Sequence, residues 1–395
     1  MKDKIKLPCG VILKNAIVKS PMSDSLGDGK GNPTKEQIRL YERWAQGGTS
    51  LSLIGEVQLD YSYPERPGNL VLNDDSDIKL FKELTSKALI NGSHLWAQIG
   101  HAGALSHLPI SKPKGPSLLD IEGLKCEGMS LNEVKNLPSR YAKAASKAKE
   151  LGFSGVQIHA GHGFLLSQFL SPLFNKREDE YGGDIKSRCK IILQIINSVR
   201  IEVGDTFPIS IRINSSDNIE GGLTQKDSLK AIGFLDKTSL DLIDISGGTY
   251  FPGAKASSDS LINGPYFLDF AKKARKITSI PLMISGGFKK KDEVQSAISS
   301  GVVDMVSIGR GMIIDTNLAN TWINNSGSDP IFPKFEVVVP GGITAWYTMR
   351  LTAIANDDED NFNLDLINAL ESYEKRDNEK CFIWKKYTDR TSSLG

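Results

Sequence analysis

Cysteine is scarce in this chain and never paired in sequence. Cys9, Cys126, Cys189 and Cys381 lie far apart with no C-x-x-C pair, which argues against an iron–sulfur or zinc cluster and against a disulfide framework. Net charge is nearly absent too: 48 Lys+Arg against 47 Asp+Glu leave +1, so no broad field exists for phosphate backbones or anionic lipid. No stretch reaches the roughly 18 uninterrupted apolar residues of a spanning helix. The opening segment MKDKIKLPCGVILKN has neither the apolar run nor the small-residue cleavage site of an export signal. These absences set three expectations: no nucleic-acid partner, no membrane, and a cytoplasmic location. Solenoid-length repeats and low-complexity tracts are missing as well.

What is present is an alternation of short apolar runs with amphipathic stretches, repeated about eight times before residue 325. The runs are 16–22 (AIVKSPM), 51–57, 94–99, 155–159, 209–213, 242–245, 281–284 and 305–308. Most are apolar on both faces, as strands buried on both sides are. Helices are expected over 34–46, 76–91, 130–151, 184–203, 224–239, 265–278, 290–300 and 316–324. Thr34 with Gln37, Ser130 with Glu133 and Thr224 with Asp227 have capping-box spacing or a close acidic variant, and Gly92 and Gly152 stand at helix ends. Eight strands each followed by a helix predict an α/β (β/α)8 TIM barrel. The competing open sheet would need a Gly-rich dinucleotide loop after its first strand, which this chain lacks.

The barrel is expected over residues 1–325, with an N-terminal lid segment before its first strand. Two stretches fall outside the repeat. Residues 100–129 read as a long functional or mobile loop, and residues 326–395 as an extension packed on the barrel. Lys289 to Lys291 reads as a solvated run before a helix.

Barrel active sites lie at the carboxyl ends of the strands, and here those ends are polar. Four of the five histidines, His101, His107, His159 and His162, fall in two such regions. His159 and His162, at i and i+3 after a strand, could hold a metal, but no third ligand suggests itself nearby, and paired hydrogen-bond donors to one substrate oxygen fit better. Ser285-Gly286-Gly287 follows the seventh strand and Gly309-Arg310-Gly311 the eighth, the two places where barrels bind phosphate through backbone N–H groups, with Arg310 adding a charge-assisted contact. Arg212 lies inside an apolar strand, where an unpaired charge is costly, so it needs an anionic partner, either an acidic neighbour or a ligand.

The pieces KNAIVKSPMS (14–23), IGEV (54–57), AQIGHAG (97–103), VQIHAGHGFLLSQFLSP (156–172), Arg177 to Gly183, ISIRIN (209–214), ISGG (284–287) and IGRG (308–311) together resemble the Old Yellow Enzyme family of FMN-dependent NAD(P)H:flavin oxidoreductases over roughly residues 4–325. The resemblance implies tightly bound, non-covalent FMN across the barrel mouth. Pro21, Met22, Ser23 and the Val57 backbone would lie against the isoalloxazine, Gln98 on its pyrimidine edge, and Arg212 by the N1/O2 edge. Ser285, Gly286, Gly287, Gly309 and Arg310 would hold the phosphate end. It further implies catalytic His159 and His162 at an acceptor's carbonyl oxygen, with Phe164 and Ser25 as substrate-binding neighbours. Hydride would pass in ping-pong order from NAD(P)H, as co-substrate, to a small-molecule electron acceptor, typically an α,β-unsaturated carbonyl.

Two departures stand out. Phe164 and Ser25 occupy positions where family members often carry a proton-donating or substrate-binding Tyr, so a donor would have to come from elsewhere, such as Tyr250, Tyr63 or Tyr181, or from water. Ser187 replaces a frequent Asn. With Cys381 alone in the 70-residue tail, the iron–sulfur and second nucleotide domains of longer relatives are not expected. Family members occur as monomers, dimers or larger assemblies, which keeps a homo-oligomer open. Two alternatives remain: a flavin-binding barrel with little turnover, and a cofactor-free lyase or isomerase on a phosphorylated substrate, for which Glu56 is the one obvious mouth carboxylate.

Overall fold

Eight parallel strands close on one another in this structure, a computed structural model that describes residues 1–254, 264–337 and 339–392. The chain enters through an antiparallel pair, β1 (Ile5–Lys6) and β2 (Ile12–Leu13), then forms β3 (Ile17–Lys19), α1 (Lys35–Gln46), β4 (Leu51–Gln58), α2 (Ile78–Ala88) and β5 (His94–Gly100). A small sheet of β6 (Lys114–Gly115), β7 (Leu119–Ile121) and β8 (Leu124–Gly128) precedes α3 (Leu131–Glu150) and β9 (Val156–Ala160). There follow α4 (Leu165–Leu170), α5 (Ile185–Val203), β10 (Ile209–Asn214), α6 (Gln225–Leu235), β11 (Leu242–Ser246), α7 (Leu268–Ala274), β12 (Leu282–Ser285), α8 (Lys291–Ser299) and β13 (Met305–Ile308). The short α9 (Arg310–Ile314) and α10 (Leu318–Asn324) complete the repeat, and α11 (Gly342–Ala355) and α12 (Leu366–Ser392) form the tail.

The barrel order is β10-β11-β12-β13-β3-β4-β5-β9, so the predicted (β/α)8 fold is present. The caps act as the spacing predicts: Thr34, Ser130 and Thr224 accept from the backbone N–H of Gln37, Glu133 and Asp227, and Ser130 with Glu133 forms a full capping box. Lys19 of β3 is fully buried against the faces of Tyr41 and Trp44, 4.9 and 4.2 Å from their centroids, and burial lowers its ammonium to about 7.

The amino end of the barrel is closed by β1 and β2. Leu7 and Leu13 pack on Val18, Leu51, Leu53, Trp96, Leu242, Met283 and Met305, and the Cys9 N–H donates to Asp241 at 2.8 Å. This is the expected N-terminal lid.

Two expectations need correction. Residues 100–129 are not plain loop, since β6 to β8 form a small sheet against the 3-10 turn Gly103–Leu105 and bury Leu119, Leu124 and Cys126 with Ala104 and Phe174. The helix expected over 76–91 stops at Ala88, because Asn91 takes φ 55° and a separate 3-10 turn follows. Lys289 and Lys290 are exposed in the loop before α8, as expected, and Lys289 Nζ also lies 5.8 Å from the Phe332 ring centroid.

The tail segment beyond 326 is tied to α1, α9 and the loops that follow β3, β4 and β5. Arg39 of α1 pairs with Asp357 at 2.9 Å, Arg43 with Asp357 and Glu359, and Arg350 donates to the Ile313 carbonyl at 3.2 Å. From α12, Lys380 donates to the Ser25 carbonyl at 2.6 Å, and Asp377 faces His107 and Arg66 at 3.3 and 3.5 Å. Positions 338 and 393–395 of the tail lie outside the described residues. No helix among the described residues is long and apolar enough to cross a membrane.

Candidate active site

The carboxyl ends of β9 to β13 surround a cavity of about 280 Å³. Of the residues expected at the site, Met22, His162, Arg212, Ser285, Gly286, Gly287, Gly309 and Arg310 line it. Pro21, Ser23, Val57, Gln98, His159 and Phe164 belong to the neighbouring strand ends but are not on this wall. Ser25 stands apart: it is buried at φ 55°, and a Cβ placed on Gly68 would come 2.6 Å from its Oγ.

Arg212 is buried in the cavity wall. Its partner is Asp244 on the adjacent strand β11, directly across in register, at 2.8 Å, so the acidic-neighbour reading describes this contact. Nη2 also donates to the hydroxyls of Ser246 and Ser285, at 3.0 and 2.7 Å, while the buried Nε has no hydrogen-bond partner. Burial lifts the Asp244 carboxyl to about 6, against the pull of Arg212.

His159 Nε2 lies 3.2 Å from His162 Nδ1, and His162 Nε2 lies 2.9 Å from Ser246 Oγ. Desolvation, reinforced by the Arg212 charge, pushes His159 down to about 3 and His162 well below the ordinary imidazole value. Both are therefore neutral at physiological pH with one N–H apiece; their mutual contact uses one of these, which leaves the pair one N–H to give. His162 takes φ 61°, held by its N–H donating to Asn214 Oδ1 at 2.9 Å. The Phe164 ring lies 5.1 Å from that of His159 and 5.9 Å from Tyr250, which also lines the cavity.

The other hydroxyl candidates are placed differently. Tyr63 stacks on His101 at 4.5 Å, and Tyr181 is buried, donating to Gln194 at 3.1 Å. Ser23 donates to Glu65 at 3.0 Å and accepts from Asn69 at 3.2 Å. Of Glu56 only the backbone is described.

At the far end of the cavity Gly286 and Gly287 take φ 102° and 86°, and a Cβ on Gly287 would meet the Gly264 carbonyl at 1.9 Å, so this turn requires glycine. Arg310 lies 5.8 Å from the Tyr347 ring centroid, and Lys289 and Phe332 complete that end. The mouth therefore has a buried cation with an unpaired N–H at one end, and glycine turns with two basic side chains at the other. The Ser307 hydroxyl between them also lacks a partner. A long ligand with an acceptor-rich ring and a terminal phosphate fits that donor set.

The model of the NADH:flavin oxidoreductase / NADH oxidase family matches residues 5–326. The chain belongs to this family. Its relatives include the NADH-dependent flavin oxidoreductase iliE of Hypocrea jecorina, 29% identical over 86% of this chain and 95% of that protein. An NADPH dehydrogenase of Listeria welshimeri is 31% identical over 77% and 88%. The chain spans about half of other relatives, such as the NADH oxidase of Thermoanaerobacter brockii, 29% identical over 77% of this chain and 48% of that protein. Among solved structures, a 2-naphthoyl-CoA reductase complex superposes with TM-score 0.76 at 25% identity, over 82% of this chain and 52% of that one. The old yellow enzyme homologue of Zymomonas mobilis superposes with TM-score 0.70 at 22% identity, over 83% and 94%. As a family member the chain is an FMN-dependent NAD(P)H oxidoreductase, which sets aside the cofactor-free lyase reading.

Sequence reasoning passed over Asp244, Gln157, Ser246, Phe332 and Tyr347. A signal existed for Asp244: like Arg212, it is a single charge inside an apolar strand. For Phe332 and Tyr347 none existed, because nothing in the tail's pattern points to the mouth.

Proposed function

We propose that the protein delivers hydride from NAD(P)H to an electron-poor acceptor, an α,β-unsaturated carbonyl or a related quinone or nitro compound. The observation that supports this best is the pair of neutral, mutually bonded histidines beside Arg212. A neutral imidazole N–H polarises a carbonyl oxygen without surrendering a proton, which makes the conjugated β-carbon electron-poor. An entering oxygen would compete with Ser246 Oγ for His162 Nε2.

In this reading FMN, when bound, supplies the hydride relay between the two substrates. Arg212 offers Nε–H and positive charge to the ring, Gln98 orients its pyrimidine edge, and Met22 and the Val57 backbone flank it. Arg310, Lys289 and the turns at Gly286, Gly287 and Gly309 hold the phosphate. Phe164 shapes the acceptor pocket without a hydroxyl, and Tyr250, beside it on the cavity wall, offers a phenol for protonation. Residues 1–325 form the FMN-binding barrel and 326–395 an extension to it. Four unpaired thiols fit a reducing, cytoplasmic setting.

An anaerobic spectrum tests this reading. A flavin band should bleach with NADH or NADPH and return with 2-cyclohexenone. A band that stays bleached with the enone but returns with a quinone or nitroarene would move the acceptor class. Failure to bind FMN at all would overturn the reading.

A further inference from the structure

Four buried polar side chains run in series beneath the mouth. Gln98 Nε2 on β5 donates to Gln157 Oε1 on β9 at 2.7 Å. Gln157 Nε2 donates to Asp244 Oδ2 on β11 at 3.3 Å, and the same oxygen accepts from Arg212 Nη1 on β10 at 2.8 Å. Gln157 and Asp244 are fully enclosed, and Gln98 and Arg212 nearly so.

A carboxylate only accepts, whereas a carboxamide can present either end. Asp244 therefore sets the direction of the whole series. Gln157 must turn its NH2 to Asp244, which leaves its oxygen facing Gln98. Gln98 must then turn its own NH2 to Gln157, which directs its Oε1 away from that contact. Asp244 also places a full negative charge against Arg212 in a low-dielectric setting, where it offsets part of the guanidinium charge felt across the mouth. Its Oδ1 has no hydrogen-bond partner, so a role limited to closing local hydrogen bonds accounts for only half of the carboxylate.

We propose that Asp244 is a positioning residue for the cofactor: through Gln157 it fixes which end of the Gln98 amide meets the flavin, and through Arg212 it sets how much positive charge the flavin ring experiences. This rests on the reading above that Gln98 and Arg212 face bound FMN. The two arms make separable predictions. The electrostatic arm acts on the balance between oxidised and reduced FMN, because hydride uptake places negative charge beside Arg212. The orienting arm acts on recognition of the ring and on its absorption spectrum.

Asp244→Asn keeps an acceptor for Arg212 and Gln157 but removes the charge. Binding of reduced relative to oxidised FMN should tighten about tenfold, read as a rise of about 30 mV in the two-electron midpoint potential. Gln157→Leu leaves the Asp244–Arg212 pair and cuts the series. It should weaken FMN binding about tenfold and shift the flavin absorption maxima, with a potential change much smaller than that of Asp244→Asn. Both are measured by dye-equilibration titration and fluorescence quenching on the full chain at pH 8.

If the wild type binds FMN and both variants keep its potential, affinity and spectrum, the proposal is overturned while the functional reading stands. If Asp244→Asn does not fold, Gln157→Leu with unchanged affinity and spectrum still overturns it. A wild type that binds no FMN overturns both.

Discussion

Ser246 Oγ lies between two site groups, 2.9 Å from His162 Nε2 and 3.0 Å from Arg212 Nη2. The histidine pair and the buried cation are thereby joined through one hydroxyl.

In the proposed reading His162 meets the acceptor and not the cofactor, so replacing it should damage acceptor chemistry more than cofactor binding. His162→Ala removes one N–H donor at the acceptor oxygen, and losses of this kind run to about 100-fold or more in rate. Stopped-flow reoxidation of the reduced protein by 2-cyclohexenone should slow by about that factor while FMN affinity stays within about threefold.

The buried imidazoles predict the acid side of the stability curve. His101 and His159 are pushed down to about 3 and His162 well below its ordinary value, mainly by burial. A group with a depressed folded-state value contributes stability that is present above its unfolded value, near 6.5, and is lost as pH falls toward the folded one. The histidine contribution to stability should thus be level above about pH 7 and decline from about 6.5 downward, before ordinary carboxylates begin to titrate. Asp244 has the opposite sign: raised to about 6, it favours folding most below about 4 and loses that contribution by about 6 to 7. Urea titrations across pH 5 to 8 should show the histidine decline, and His159→Asn should flatten it.

The phosphate end can be tested with two ligands. Arg310→Ala should weaken FMN binding by about 10- to 100-fold, the range of a lost charge-assisted hydrogen bond, and leave riboflavin binding nearly unchanged. Tyr347→Leu removes the ring 5.8 Å from the Arg310 guanidinium and should weaken FMN binding about two- to fivefold, near the low end of a cation–π contact. Fluorescence quenching with both flavins separates a phosphate effect from a ring effect.

Leu13 is fully buried under the barrel floor. Leu13→Ala should lower stability by about 2–5 kcal/mol, measured by chemical denaturation. FMN affinity should not change, because the floor is at the opposite end of the barrel from the mouth.

The barrel was legible in the sequence because its determinants are local. Runs such as LSLIGEV and GVQIH declare strands buried on both faces, and Thr34, Ser130 and Thr224 declare where helices begin. The glycines of SGG and GRG and the charge of Arg212 marked the mouth for the same reason: each is out of place in an ordinary turn or apolar strand. The sheet within 100–129 was hidden because β6 has two residues and β7 three, too few to show a period of two.

Composition, alternation and motif order by themselves determined the family, the barrel and the strand ends that line its mouth. Tertiary structure alone decided what those side chains face. Strand register set Arg212 opposite Asp244 and brought Gln157, 87 positions away, to the same carboxylate. Folding of the tail brought Tyr347 to Arg310, and Lys380 to the Ser25 carbonyl 355 positions earlier in the chain. Burial then neutralised His159 and His162, which as free imidazoles would titrate near 6.5. Sequence spacing encodes neighbours along one element, whereas pairing across strands and the local dielectric exist only once the barrel has closed.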